Sequence, residues 1–358
     1  MITNLDSPVG VIEGFFGRPW PWQDRAAYSD FLSRLGFDFY IYAPKDDRHL
    51  RQRWREPWPD DIVARVASLA ETYRGRGLRF GIGLSPFELH LEYGDDERSA
   101  LRKKVRQLNE AAPNILCILF DDMRGDTPAL AERQARIVDD IRAASTARAF
   151  IVCPTYYSSD PVLEKVFGAM PDGYLAELGR LLDPDIDIFW TGPKVCSRRH
   201  PSAHLDDVAA SLRRKPFLWD NYPVNDSAAM APFLHVGPFR DRPATLRRHI
   251  AGHAVNPMNQ AWLSRIPLRS LADSYRRGDA YDPDASFAEA CRDECGADLG
   301  AMLAADIALF QKTGLENLTA ADRDSLAQRY GKIRGNAHAD EVLGWLAGNY
   351  AFDPACLT

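Results

Sequence analysis

The sequence predicts an α/β protein, a (β/α)8 barrel of the TIM type with a small C-terminal helical appendage. Three observations lead there. Short apolar runs recur through the first three quarters of the 358 residues, most of them without polar alternation. Strands buried on both faces read that way. Helix-like stretches separate the runs, and strands alternating with helices imply a parallel sheet. Eight such units in about 270 residues match the size of a closed barrel.

The apolar runs cover residues 9–15, 38–44, 79–86, 115–122, 149–157, 187–192, 216–222 and 254–258. The eighth contains Pro257, which cannot donate to a strand ladder. Residues 60–74 place Ile62, Val63, Val66, Leu69 and Ala70 on one helical face, and 98–111 and 130–147 repeat the pattern. After about Asp273 the pattern turns helical. Residues 281–287 read as a turn and a helix start with Ser286 as N-cap. Helices are expected over 287–310, 320–332 and 338–349. The expected division is a catalytic barrel over 8–280 and a helical region over 281–358 packed on it.

Composition narrows the function. A formal net charge of −6 disfavours a broad phosphate-binding surface, so nucleic acid is a poor partner. No apolar stretch is long enough to cross a bilayer. The opening MITNLDSPVGVIEGF lacks a basic stretch followed by an apolar one, which predicts no signal peptide and a cytoplasmic location. Cys117, Cys153, Cys196, Cys291, Cys295 and Cys356 are read as reduced and structural. Cys291 and Cys295 form a CxxxC pair on an expected helix, but no second pair or histidines accompany it, which argues against zinc. The eight histidines are scattered, and no GxSxG, Walker or strand-following GxGxxG motif occurs. Neither metal nor cofactor is expected.

In a barrel of this kind the active site lies at the C-terminal ends of the strands. The apolar runs end on Glu13–Arg18, Lys45-Asp46-Asp47, Asp121-Asp122, Tyr156-Tyr157, 191–194, Asp220-Asn221 with Asp226, and Asn256. Asp121 and Asp122 follow Ile118-Leu119-Phe120. Adjacent carboxylates repel, so one is expected to have a raised pKa. A protonated acid beside an ionised partner suits glycosidic bond cleavage. A bare Asp-Asp pair can equally cap the next helix, and alternation along a strand points neighbours to opposite faces. Both can reach one pocket only if the strand has ended. Lys45 alone reads as a solvated lysine, with Asp46 and Asp47 pairing Arg18 or Arg48. Trp219 and Tyr157 alone read as core, and Asn221 and Asp226 as turn formers.

Taken together these segments resemble family 84 of the glycoside hydrolases, the protein O-GlcNAcases and related bacterial β-N-acetylglucosaminidases. GVIEGFFGRPW at 10–20 resembles the family's first strand and loop, YAPKDD at 42–47 its second motif, and LFDD at 119–122 its catalytic motif. CPTYY at 153–157, WTGPK at 190–194, LWDN at 218–221 with Asn225-Asp226, Gly237-Pro238 and Asn256-Pro257 follow in the family's order. The resemblance covers roughly residues 9–290.

The resemblance implies a role for each matched residue. Asp122 is the general acid/base. Asp121 accepts a hydrogen bond from the substrate's acetamido N–H, and the acetamido oxygen attacks the anomeric carbon to give an oxazoline with net retention. This is the substrate-assisted exception to the two-carboxylate scheme. Tyr157 helps hold the acetamido group, Asn221 braces that end, and Trp219 walls the pocket. Cys153 and Thr191 line the methyl end. Gly14, Lys45, Asp226 and Asn256 read the hydroxyls. Tyr156 stands where animal enzymes carry an acidic residue, and Phe16 replaces a tyrosine. Both departures bear on the outer site.

The implied partner is a GlcNAc-bearing glycoprotein, peptide or glycoside. Two other readings are a sugar-binding protein that has lost turnover and a glycosidase for cell-wall or chitin-derived oligosaccharides. A further one, an amidohydrolase-type barrel, lacks its histidine set.

Overall fold

The structure is a computed structural model that describes residues 7–354. Eight parallel strands close a barrel in sequence order. They are β1 (Val9–Glu13), β2 (Phe39–Tyr42), β3 (Arg79–Leu84), β4 (Ile115–Leu119), β5 (Ala149–Cys153), β6 (Ile186–Trp190), β7 (Phe217–Asp220) and β8 (Gly252–Val255). The register runs through pairs such as Ile12 with Ile41, and β8 closes on β1 through Val11 with Val255. Around the barrel lie α1 (Trp22–Leu35), α2 (Asp60–Gly75), α3 (Asp95–Leu108), α4 (Leu130–Ala144), α5 (Val162–Phe167), α6 (Tyr174–Leu181), α7 (Ser202–Leu212) and α8 (Arg265–Arg277). Beyond them follow α9 (Pro283–Cys295), α10 (Ala297–Ala308), α11 (Ala320–Gly331) and α12 (Ala337–Leu346).

The strands are shorter than the apolar runs that mark them, because each run continues into the loop above the barrel. β8 ends at Val255, before Pro257 could break the ladder. The expectation of a helix in every unit fails once. Between β7 and β8 there is only a short 3-10 turn over Ala244–Arg248. Pro223, Pro232, Pro238 and Pro243 punctuate that stretch and prevent a helix. The long connection left there supplies several walls of the site.

An aromatic stack fills the barrel. Phe39 meets Phe217 at 5.8 Å, Phe217 meets Phe189 at 5.4 Å, and Phe189 meets Trp219 at 5.0 Å, all edge-on. Edge-to-face contacts add to the apolar burial. Gly252 leaves room for this stack, since a Cβ there would lie 2.3 Å from the Phe217 ring. Trp219 is therefore supported from beneath.

The C-terminal helices enclose a second core. Leu303, Phe310, Tyr330, Val342 and Trp345 pack with Leu234, Val236 and Met258 from the loops above the barrel. Burying each large side chain stabilises the contact by roughly 1.5–3 kcal/mol. Trp345 Nε1 donates to the Pro232 carbonyl at 3.2 Å. The buried Glu341 carboxylate accepts from the amides of Trp262 and Leu263 at 2.9 and 2.8 Å. Burial pushes its pKa up to about 8.

Two details correct the sequence reading. The expected helix over 287–310 is broken at Gly296, whose φ of 81° suits glycine. The N-cap of α9 is Asp282, whose side chain accepts from the Asp284 and Ala285 amides, with Pro283 at the first turn. Ser286 is buried inside α9 and donates to Asp273 at 2.8 Å. Cys117, Cys153, Cys196, Cys291 and Cys295 are free thiols. Cys356 lies outside the described residues.

Candidate active site

A cavity of about 340 Å3 opens at the C-terminal ends of the strands. That lies within the ~300–1,000 Å3 typical of small-molecule sites. The eleven residues to which the resemblance gives a role all line it: Gly14 after β1, Lys45 after β2, Asp121 and Asp122 after β4, Cys153 and Tyr157 at and after β5, Thr191 after β6, Trp219 and Asn221 at the end of β7, Asp226 beyond it, and Asn256 after β8.

The two aspartates reach one cavity by a turn of the backbone. β4 has ended at Leu119, and the Phe120 amide still donates to the Cys153 carbonyl at 2.9 Å. Asp122 then takes a left-handed φ of 56°. A non-glycine residue pays on the order of 1–3 kcal/mol for such a conformation, and active sites are where it is tolerated. The turn breaks the alternation that would have sent the two side chains apart.

The Lys45 ammonium forms an ion pair and hydrogen bond with Asp121 Oδ2 and lies 3.8 Å from Asp122 Oδ2. Burial alone would lower the Lys45 pKa, but the two carboxylates outweigh it and raise it. Asp121 Oδ1 is buried and, among the described residues, accepts no hydrogen bond. The Tyr157 hydroxyl donates to Asp122 Oδ1 at 3.1 Å. Asp122 is 27% exposed, onto the cavity itself. Burial raises its pKa, Lys45 opposes the shift, and the neighbouring Asp121 adds to it. The Tyr157 phenol sits well above its ordinary value, chiefly through burial, and remains a donor.

The opposite side is braced by amides. Asn256 accepts from the Gly14 amide at 3.3 Å and donates to Asn221 Oδ1 at 3.0 Å. Asn221 Oδ1 also accepts from Trp219 Nε1 at 2.9 Å, and its Nδ2 donates to the Val195 carbonyl at 2.9 Å. One network thus ties the ends of β1, β6, β7 and β8. Asp226 accepts from the Phe16 amide at 2.9 Å, and burial pushes its pKa up to about 6.

Other strand-end carboxylates are structural. Glu13 is fully buried and pairs with Arg25 of α1 at 2.6 and 2.8 Å. Asp47 accepts from Tyr42 at 3.0 Å and from Trp58 Nε1 at 2.9 Å, and Asp46 is exposed, in place of the expected pairing with Arg18 or Arg48. Asp220 is buried against Arg242 at 2.8 Å and His253 at 3.2 Å. Arg242 outweighs the effect of burial and holds the Asp220 carboxyl well below its usual range. Of the two departures, Phe16 lines the cavity, whereas Tyr156 does not. Its hydroxyl donates to the Gly168 carbonyl at 2.7 Å. Val195, Cys196, Val224, Ser227, Met230 and Phe352 also line the cavity and were not found in the sequence. The first four lie within a few residues of motifs, which is a usable signal. Met230 and Phe352 carried none. Among the described residues, no group of three or more His, Cys, Asp or Glu is placed to hold a metal.

Gly14 must be glycine, since a Cβ there would lie 2.5 Å from Trp219 Cζ2. Gly14→Ala is expected to displace the indole and lower kcat/KM on an aryl N-acetylglucosaminide by roughly 100-fold, as ångström-scale misplacement does. Its melting temperature should stay within a few degrees of the parent. Unchanged kinetics would contradict the packing described.

This fold, with paired acids at the strand mouths, is that of the barrel glycoside hydrolases, and the chain is one of them. More narrowly, residues 9–308 match the family model for β-N-acetylglucosaminidase, and the chain belongs to that family, glycoside hydrolase family 84. It is 30% identical over 277 residues to the protein O-GlcNAcases of Rattus norvegicus and Mus musculus, covering 75% of this chain and 30% of each relative. The chain thus matches less than a third of the length of those relatives. A variant of the O-GlcNAc hydrolase of Thermobaculum terrenum superposes with a TM-score of 0.75 at 31% identity. The match covers 95% of this chain and 74% of that one.

Proposed function

We propose that the chain is a retaining enzyme that removes terminal β-linked GlcNAc, including O-GlcNAc on Ser or Thr of proteins, by substrate-assisted catalysis. One observation carries this reading. Asp121 Oδ1 is a buried acceptor without a donor among the described residues, beside an acid of raised pKa, in a cavity of sugar size. An unfilled buried acceptor costs about 1–3 kcal/mol. A substrate N–H placed there removes that cost.

In the first step the Asp122 carboxylic acid gives its proton to the glycosidic oxygen as the C1–O bond breaks. The acetamido oxygen forms the new bond to C1 while Asp121 takes the hydrogen bond, and then the proton, of the acetamido N–H. In the second step Asp122, now a carboxylate, removes a proton from water. The water oxygen bonds to C1, the oxazoline C1–O bond opens, and Asp121 returns the N–H proton. The enzyme supplies no nucleophile, so no carboxylate need face the pair across the ring. Tyr157 orients Asp122. Lys45 orients Asp121 through one donor and has two left for substrate oxygens. Trp219 and the Asn221–Asn256 network shape the acetamide end. Asp226 and Asn256 read hydroxyls, and Cys153 and Thr191 line the methyl end.

Turnover of an O-GlcNAc peptide, an aryl N-acetylglucosaminide and a chitooligosaccharide, followed by NMR, tests the proposal. The expected result is β-GlcNAc as the first-formed anomer, with the peptide preferred to the chitooligosaccharide. The α-anomer appearing first would refute retention. A chitooligosaccharide preference would refute the O-GlcNAc assignment.

A further inference from the structure

The cavity has an apolar wall that the sugar reading does not use. Its polar groups all come from strand ends and from the loops just above them. Phe352 comes from outside the barrel, beyond α12, and lines the same cavity as Asp121 and Asp122. A segment outside the barrel can reach the cavity only at its mouth, because the strands form the floor. Met230, from the long β7–β8 connection, lines it too, with its Sδ 4.0 Å from Cys196 Sγ.

Phe352 is held there by what precedes it. After α12 the amides of Ala347, Gly348 and Asn349 donate back to Leu343, Trp345 and Gly344 at 3.0, 3.0 and 2.9 Å. Gly348 takes a φ of 77°, which reverses the chain. Tyr350 packs on Gly344, with its Cε2 3.1 Å from where a Cβ there would lie. The Arg18 guanidinium sits 5.1 Å from the Tyr350 ring. Trp345 is bonded to the Pro232 carbonyl, two residues from Met230. The turn after α12 and the Met230 loop are therefore packed through one element.

A monosaccharide is polar around most of its rim, and the strand-end groups answer to it. Apolar surface at the mouth meets what leaves through the mouth, the aglycone. We propose that Phe352, with Met230, forms an apolar wall on the leaving-group side and selects substrates with apolar groups flanking the glycosidic oxygen. This rests on the reading under Proposed function.

The test uses two O-GlcNAc peptides that differ only in the residues flanking the modified serine, Val and Phe in one, Gly and Ser in the other. The parent is expected to favour the apolar peptide by roughly tenfold in kcat/KM, the effect of burying about one small apolar group. In Phe352→Ala the preference should collapse to about twofold or less, through KM, with kcat and the inhibition constant of free GlcNAc unchanged. Phe352→Leu should retain most of the preference, and both variants should melt with the parent. Three results would overturn the inference: no preference in the parent, a preference that survives Phe352→Ala, or an equal change in the GlcNAc inhibition constant. The last would make Phe352 a wall of the sugar site. A parent that turned over no N-acetylglucosaminide at all would instead refute the function itself, and this inference with it.

Discussion

Asp122→Asn is expected to lower kcat/KM on an O-GlcNAc peptide by roughly 100- to 10,000-fold, the range general acid catalysis supplies. That corresponds to about 3–5 kcal/mol of barrier. A dinitrophenyl N-acetylglucosaminide should lose less than about tenfold in kcat/KM, because its leaving group departs without a proton. The comparison uses kcat/KM because that ratio isolates the steps up to the first irreversible one. The pH profile gives a second readout. Asp122 must be protonated to act in the first step, and burial raises its pKa. Activity is therefore retained below that pKa and lost as pH rises through it. This alkaline limb should disappear in Asp122→Asn. Equal losses on both substrates, or an unchanged alkaline limb, would contradict the acid assignment.

Asp121→Asn is expected to lower kcat/KM by roughly 100- to 1,000-fold on both substrates, the range seen when one preorganised electrostatic partner is lost. Forming the oxazoline is common to both, so leaving-group quality cannot rescue it. The substitution also frees Lys45 from its closest partner, leaving Asp122 at 3.8 Å as the nearest carboxylate. It removes a neighbouring charge that raises the Asp122 pKa. Both changes favour ionised Asp122, so the alkaline limb should move to lower pH. Near-normal rates in this variant would sink its assignment.

The barrel was legible because strands buried on both faces appear as unbroken apolar runs. Where those runs stop being strand was not legible, since the loops above the barrel are as apolar as the strands. The β7–β8 connection differs for another reason: a repeating strand–helix pattern implies a helix there, whereas Pro223, Pro232, Pro238 and Pro243 forbid one. The strand-end carboxylates could not be sorted locally. Glu13 and Asp220 sit at strand ends as Asp121 nearly does, but Arg25 and Arg242 engage both of their oxygens, whereas Lys45 engages only Oδ2 of Asp121. Those partners adjoin them only in the folded chain. The motif order supplied what local chemistry could not. The left-handed turn at Asp122 left no sequence mark, because aspartate adopts it without glycine's help. Phe352 lies in a segment with no motif, and its place at the cavity depends on how α12 docks.

The most direct measurement compares two aryl glycosides with the same leaving group, one carrying a 2-acetamido group and the other a 2-hydroxyl. If the substrate provides the nucleophile, the hydroxyl compound should react at least about a thousandfold more slowly, because it lacks the preplaced attacking oxygen. Comparable rates would mean that some other group attacks the anomeric carbon.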